Sequence, residues 1–260
     1  MKIQNDKYYT EPKIAKYCID KTFEIIGKQN ITSIIEPSAG NGSFSNQLDC
    51  ISYDILPEAE GIIQQDYLQL DIPYQKGRLI IGNPPFGAKM NLAQKFFKKS
   101  VSIGDYIAFI LPISQYKNTN TMFEFDLIWS EDLGVTNFSD RNLHCVFNIY
   151  KRPETGLNNK PIHTLEDIKI MRESTKGYDA FEFDLRMCYW GNGSAGKILK
   201  EGEKYSGEYK IKINNSDLKE DIIKVLSSVN WRKELNSIAM LRIKQYDVIT
   251  ILKKYIPQIK

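Results

Sequence analysis

Residues 83–86 read Asn-Pro-Pro-Phe and follow the apolar run Leu79-Ile80-Ile81 after a single glycine. Those residue types at the end of a strand suit one chemical problem, the activation of an amino group conjugated to an aromatic ring. Such a nitrogen is a poor nucleophile because its lone pair is delocalised. Two oxygens that accept both amino hydrogens in a near-tetrahedral arrangement draw the lone pair out of conjugation and aim it. The side-chain oxygen of Asn83 and the backbone carbonyl of Pro84 can supply those acceptors, while Pro84 and Pro85 stiffen the backbone. Phe86 offers a flat face to an extruded base. No general base of high pKa is required, in keeping with only two histidines, His144 and His163. Taken alone, the tetrapeptide also reads as a rigid turn capping a buried strand; the residues upstream weigh against that.

Upstream lies Glu36-Pro37-Ser38-Ala39-Gly40-Asn41-Gly42-Ser43-Phe44, after a β-prone run and before an expected helix. Gly40 and Gly42 let the backbone turn beneath a ligand that a side chain would block. Glu36 brings a carboxylate to where the ammonium of a methionine moiety could sit. An acid beside the loop would repel a pyrophosphate, so this differs from the phosphate-cradling G-x-G-x-x-G. Asp54, with Ile55 after it, ends the next strand at the position that hydrogen-bonds ribose hydroxyls in nucleotide-binding α/β folds. Asp66 and Tyr67 follow, a carboxylate for an adenine amino group and, in Tyr67 or Leu68, a side chain to pack on the ring. Each aspartate alone reads as a surface turn carboxylate; in series they support one another.

The elements that must carry these residues follow from apolar spacing. Residues 12–28 read as a helix, with Pro12 near its start and Ile14, Cys18, Phe23 and Ile26 at helical spacing. Short strands are predicted at 31–35, 50–53, 79–81 and 106–111, and a helix at 92–101 with Leu92, Phe96 and Phe97 on one face. Strands alternating with helices imply an α/β fold with a parallel sheet covered on both faces. Ligands of such sheets bind beyond the carboxyl ends of the strands, where all the unusual residues lie. Runs at 135–138 and 145–150 predict an antiparallel hairpin at one edge.

Composition shifts at 152–159, which reads as a linker between a catalytic domain, 1–152, and a C-terminal segment, 153–260. The segment reads as a smaller α+β unit with strands at 181–190 and 209–213 and helices at 218–229 and 246–256. Within it, Gly191-Asn192-Gly193-Ser194-Ala195-Gly196-Lys197 matches G-x-G-x-x-G and repeats the Gly-Asn-Gly-Ser of residues 40–43. No strand-and-acid series follows, so it reads as a flexible loop with Lys197 in reach of a phosphate.

The 260 residues suffice for a large domain with an appendage, and 42% hydrophobic with 26% charged residues is ordinary for a globular chain. No apolar run matches a bilayer span and no signal-peptide stretch opens the sequence, so a cytoplasmic protein without membrane partners is expected. Cys18, Cys50, Cys145 and Cys188 form no Cys-x-x-Cys pair and neither histidine has a partner at ligand spacing. A disulfide framework, a metal site and a Ser-His-Asp triad are therefore not expected. Residues 1–150 hold 14 Lys and Arg against 17 Asp and Glu, and residues 151–260 hold 21 against 15. A mildly acidic front and a basic back suit a catalytic module followed by a segment that meets an anionic partner. A solvated lysine-rich surface would give the same counts.

Together these residues resemble the class I S-adenosylmethionine-dependent methyltransferases, and within them the amino-group methylases of DNA. The resemblance covers residues 7–112 well and 113–152 loosely. Lys7-Tyr8-Tyr9-Thr10-Glu11-Pro12 resembles the family's N-terminal Tyr-Thr-Pro segment, which closes over the methionine end of the cofactor, with Glu11 inserted. Residues 36–42 resemble its acidic-Pro-x-x-Gly-x-Gly loop, and residues 83–86 its catalytic tetrapeptide. The motif order, with a long remainder behind it, resembles the gamma group of N6-adenine DNA methyltransferases, which place target recognition after the catalytic domain.

The resemblance implies a Rossmann-like class I sheet, mostly parallel with an antiparallel edge hairpin. It implies S-adenosylmethionine as cofactor and Asn83, Pro84, Pro85 and Phe86 as catalytic residues. Tyr8, Tyr9, Thr10, Glu36, Pro37, Ser38, Ala39, Gly40, Gly42, Asp54, Ile55, Asp66, Tyr67 and Asn83 would line the cofactor. A later aromatic near the hairpin, either Phe138 or Phe147, would stack on the flipped base. The implied partner is nucleic acid, DNA favoured over RNA, and a restriction or accessory subunit stays open. Lys89, Lys95, Lys98 and Lys99 after the tetrapeptide, Lys117 after the fourth strand, and Lys197 are candidate phosphate contacts; Arg141 and Arg186 are candidate base readers.

Rival readings share the tetrapeptide. Enzymes that methylate adenine N6 or guanine N2 in ribosomal RNA carry it too, and Phe86-Gly87 followed by Lys89 resembles some of them. Glutamine-side-chain methylases usually have Tyr in place of Phe86, and cytosine-N4 methylases more often have Ser in place of Asn83. A catalytically inactive binding subunit that keeps the fold is a reading from another class. The N-terminal segment and the motif order favour DNA.

Overall fold

Pro12 stands in the first turn of helix α1 (Pro12–Ile26), where its missing N–H goes unused, and Gly27 closes the helix with φ 81°. The computed structural model describes residues 9–138, 141–161, 164–205, 207–235 and 241–260. Strands β1 (Ser33–Glu36), β2 (Ile51–Asp54), β3 (Ile63–Gln64) and β4 (Arg78–Gly82) follow, then helix α2 (Asn91–Ile103) and strand β5 (Tyr106–Pro112). The long strands β6 (Asp126–Phe138) and β7 (Arg141–Lys151) complete a seven-stranded sheet ordered β3-β2-β1-β4-β5-β7-β6. Neighbours from β3 across to β5 pair parallel, and β7 is antiparallel to both β5 and β6.

That order turns back between β1 and β4 and ends with an antiparallel strand inserted before the last. It is the Rossmann-like, mostly parallel sheet with an antiparallel edge expected above. The turning point is where ligands of such sheets sit. β1 and β4 pair as Ser33 with Arg78, Ile34 with Leu79 and Ile35 with Ile80, so the loops leaving them start side by side.

Alternate residues of each strand face opposite layers. Leu79, Ile81, Ala108, Ile110, Phe147 and Ile149 join Ala15, Cys18 and Ile19 of α1 in one apolar layer. Ile80, Ile107, Phe109, Val146 and Tyr150 join Ala93, Phe96, Phe97 and Val101 of α2 in the other. Burial on both faces is why β4 and β5 read as unbroken apolar runs.

Three expectations about the large sheet and the loop that enters it are corrected. The glycine loop leads into a single 3-10 turn, Ser45–Gln47, rather than a helix, because residues 43–50 must also reach β2. The hairpin is longer than expected. β6 starts at Asp126, and its apolar alternation is broken by Ser130, Glu131 and Asp132 and by register shifts between Leu127 and Trp129 and between Asp132 and Gly134. Phe147 is 0% exposed and packs in the α1-facing layer, so its ring has no face to offer a base. Tyr8 and the side chains of the other two hairpin candidates, Phe138 and Arg141, lie outside the described residues.

The chain divides into two units, Met1–Pro161 and Ile162–Lys260. Residues 152–159 pack on the first: Arg152 pairs with Asp105 at 2.9 Å, and Asn158 N donates to Glu124 O at 3.0 Å. In the second unit, β8 (Ile168–Arg172), β9 (Leu185–Cys188), β10 (Ile198–Leu199) and β11 (Glu208–Ile213) form an antiparallel sheet ordered β10-β9-β11-β8. Helices α3 (Lys219–Ser228), α4 (Trp231–Glu234) and α5 (Gln245–Tyr255) complete it. Ile222 and Leu226 of α3 and Val248 and Leu252 of α5 share a core with Ile168, Met187, Ile211 and Ile213 of the sheet. The strand predicted at 181–190 shrinks to β9. Phe181 N turns back to Tyr178 O, and Asp184 is committed to Lys219, Lys212 and the N–H of Ile213. Among the described residues no helix is long and apolar enough to cross a membrane, and no group of His, Cys, Asp or Glu could hold a metal ion.

Phe147→Ala should lower the unfolding free energy by about 3–5 kcal/mol, as expected for an emptied core ring. Urea denaturation reads this, and a loss below about 1 kcal/mol would take the ring out of the core.

Candidate functional site

Ser38, in the loop after β1, donates its hydroxyl to the backbone carbonyl of Asn83, after β4, at 3.2 Å. The adjacent registers of β1 and β4 make that contact possible. Gly82 lies against the first loop, where a Cβ in its place would be in ordinary contact with Pro37 Cδ at 3.4 Å. Asn83 Nδ2 in turn donates to Thr10 Oγ1 at 3.2 Å. Thr10 is 5% exposed, and its carbonyl accepts from Ser43 Oγ at 2.6 Å. The N-terminal segment, the glycine loop and the tetrapeptide thus meet at one point. With the amide nitrogen of Asn83 turned toward Thr10, Oδ1 lies on the opposite side of the amide.

The glycine loop is shaped by its backbone. Gly40 and Gly42 have φ of 54° and 84°, a region that side chains disfavour. Asp54 holds the loop from β2, its Oδ2 accepting from Gly40 N and its Oδ1 from Leu56 N, both at 2.8 Å. Gly40 O accepts from Glu58 N at 3.0 Å, and Tyr9 donates its hydroxyl to Glu58 Oε2 at 2.5 Å. Ile55, beside Asp54, is 50% exposed. Asp66 caps the following 3-10 turn, its Oδ1 accepting from Leu68 N at 2.9 Å.

Of the tetrapeptide, Pro84 is buried, while Asn83, Pro85 and Phe86 are half-buried. Phe86 packs against both apolar layers, and its carbonyl accepts from Leu92 N and Ala93 N, tying the loop to α2. Lys89, Met90 and Lys117 have φ of 53°, 67° and 50°. Left-handed backbone at such residues costs energy and tends to gather at functional loops, and all three lie in the loops after β4 and β5.

Four residues do not stand where the sequence placed them. Glu36 is 1% exposed and lies beneath the glycine loop, not on a surface that an ammonium group could touch. Tyr67 is 1% exposed, its ring stacked on Phe96 with centroids 5.4 Å apart and its hydroxyl bonded to Ser100 Oγ at 2.9 Å, so it is core. Arg186 pairs with Glu208 at 3.1 Å and donates to the carbonyls of Lys200 and Glu203, which leaves it no reach toward base edges. Lys197 is paired with Glu203 at 2.9 Å. Of the lysines on α2, Lys99 is bonded to Leu70 O, while Lys95 and Lys98 are exposed, as are Lys89 and Lys117 in the loops. Sequence reasoning missed Glu58 and Ser43. A lone loop carboxylate and a lone serine carry no pattern, and each matters only through a partner far along the chain.

Burial pushes the Glu36 carboxyl up to about 7; Ser45 and Ser52 beside it offset only part of this, and Asp54 adds to it. Among the described residues its Oε2 has no hydrogen-bond partner.

No protein-family model matches this chain, and no curated protein does. Solved structures similar to it include a Listeria monocytogenes protein assigned to the class I S-adenosylmethionine-dependent methyltransferases, 14% identical over 61% of this chain and 65% of that one, with TM-score 0.45. The 23S ribosomal RNA methyltransferase ErmE is 13% identical over 58% of this chain and 72% of its own, with TM-score 0.42. The methyltransferase subunit of a type I restriction-modification system from Streptococcus thermophilus is 14% identical over 57% of this chain and 46% of its own, with TM-score 0.43. The match thus spans less than two thirds of the first and less than half of the third.

Because the folded carboxyl of Glu36 binds its proton more tightly than the unfolded one, stability falls as pH rises from the usual carboxylate range through about 7. Glu36→Gln should therefore stabilise the protein near pH 8, by at most about 3 kcal/mol, with the gain vanishing below about pH 5. Thermal melts across that range test this, and an equal gain at both ends would remove the buried acid as its cause.

Proposed function

We propose that this chain transfers the methyl group of S-adenosylmethionine to the exocyclic amino nitrogen, N6, of adenine in DNA. The observation that carries the reading is the meeting of Ser38, Asn83 and Thr10 at the turning point of the sheet. The residues fit the cofactor. Asp54 and Glu58 hold a glycine loop of left-handed backbone, a setting that suits a ligand bearing a sulfonium and an ammonium rather than phosphates. Asp54 would take the ribose hydroxyls, Ile55 and Asp66 the adenine, and Tyr9 and Thr10 would cover the methionine end. When bound, the sulfonium supplies an already activated methyl group.

The chain's own residues then supply orientation. Asn83 Oδ1, turned away from Thr10, and the carbonyl of Pro84 accept the two amino hydrogens and direct the nitrogen's lone pair. The prolines keep both acceptors from relaxing. Phe86 supports the base, which leaves a duplex at a cost of a few kcal/mol. Lys89 and Lys117, exposed on strained loops beside the site, would hold the flanking phosphates. The N-terminal Tyr9-Thr10 pair and the motif order support DNA as the substrate.

Incubation with labelled cofactor and separate pools of DNA, ribosomal RNA and protein, followed by digestion, should yield N6-methyladenine from DNA alone. Label confined to RNA or protein would replace the substrate. Cofactor binding without any label would make the chain a binding subunit. Asn83→Ala should cut transfer by about 100-fold or more while cofactor affinity stays within about tenfold; full turnover by this variant would discard the role given to Asn83.

A further inference from the structure

The second glycine-rich stretch, Gly191–Lys197, has no part in the site above. In the fold it leaves β9 beside the strand-like residues 241–243. Trp190 forms an antiparallel bridge with Arg242, Gly191 N donates to Leu241 O at 3.1 Å, and Ile243 N donates to Tyr189 O at 2.7 Å. That pairing sets Trp190 beside Arg242, with Lys244 two residues further on. Arg232 donates to Asn192 Oδ1 at 3.2 Å, which brings a third cation to the same loop.

Trp190 stays 40% exposed on a firm support. Its indole lies on Gly207, where φ is 96° and a Cβ would come within 2.2 Å of the ring. Only a glycine allows the indole to rest on that backbone. Tyr205, 38% exposed, stands nearby with its hydroxyl accepting from Lys197 at 3.2 Å. Carboxylates lie in this region as well, and one of them, Asp247, stands against Lys244. Glu203 pairs with Lys197, Glu173 accepts from Gly207 N, and Asp247 accepts from Lys244 N. Lys244 is held below the usual lysine range by burial, an effect that the charge of Asp247 opposes and that of Arg242 reinforces.

A supported, part-exposed indole among three cations fits an unstacked base with its neighbouring phosphates, since stacking needs only a flat face and the phosphates only charge. We propose that this face of the second unit binds a nucleic-acid strand, with one base stacked on Trp190 and the phosphates held by Arg232, Arg242 and Lys244. The inference rests on the nucleic-acid reading above for its class of partner and is independent of the transfer chemistry. An acidic peptide would use the cations and leave the ring idle.

The test is fluorescence anisotropy of the full chain, without cofactor, against a labelled single-stranded oligodeoxynucleotide of roughly twenty nucleotides. Trp190→Ala should weaken binding about tenfold and Trp190→Phe far less, while Arg242→Ala should lower the slope of affinity against salt by about one. Since Trp190 packs on Gly207, a melting curve checks each variant, and the exposed Arg242 carries the test should Trp190→Ala unfold. Unchanged affinity in both alanine variants overturns the proposal, as does polyglutamate competing as well as unlabelled oligonucleotide. Binding that depends on Trp190 for a strand that is never methylated leaves this surface standing and removes the transfer reading. Methylation of a strand whose binding ignores Trp190 and Arg242 does the reverse.

Discussion

Ser33, Ile34 and Ile35 of β1 run beside Arg78, Leu79 and Ile80 of β4, and β4 ends one residue beyond β1. Every contact of the candidate site depends on that alignment. A slip of one residue would exchange the two apolar layers, because neighbouring side chains face opposite sides. It would also carry Ser38 away from the Asn83 carbonyl. The register is well specified because both layers are buried: Ile35 and Ile80 belong to one core, Leu79 and Ile81 to the other. A tightly packed sheet thereby sets two irregular loops against each other, and the N-terminal segment locks onto them through Thr10.

Much of this was legible in the sequence because it is local. Breakers such as Pro37, Gly40, Pro84 and Pro85 end strands abruptly and carry their chemistry with them, so the loops and the strands before them could be read directly. Depth was not legible. Glu36 ends a strand, Phe147 lies within one and Tyr67 opens a 3-10 turn, and in none of these settings does periodicity tell how deeply a residue is covered. Phe147 falls into the core because α1 covers that face of β7, and Tyr67 because Phe96 of α2 meets it. Long-range pairing was equally silent. Arg186 looked available until Glu208, across the β9–β11 ladder, claimed it. The 3-10 turn in place of a helix after the glycine loop also escaped notice, since Ser45, Asn46 and Gln47 suit either form.

Charge is arranged differently in the two units. At the glycine loop the carboxylates of Asp54 and Glu58 each accept from a hydrogen-bond donor, so the acids build the loop as well as colour it. In the second unit the acids near Trp190 accept from backbone N–H groups and from Lys197, while Arg242 and Lys244 bring positive charge to the same loop. The excess of lysine and arginine counted along residues 151–260 thus has a local expression in the fold.

The two borders of the large sheet are unlike. On one side β3 contributes only Ile63 and Gln64; on the other β6 runs from Asp126 to Phe138 but shifts register twice. A foreign strand docking on either border would find too few amide groups in line, or a ladder broken at Trp129 and again at Gly134. Extension of the sheet by a further chain is thereby disfavoured at both borders.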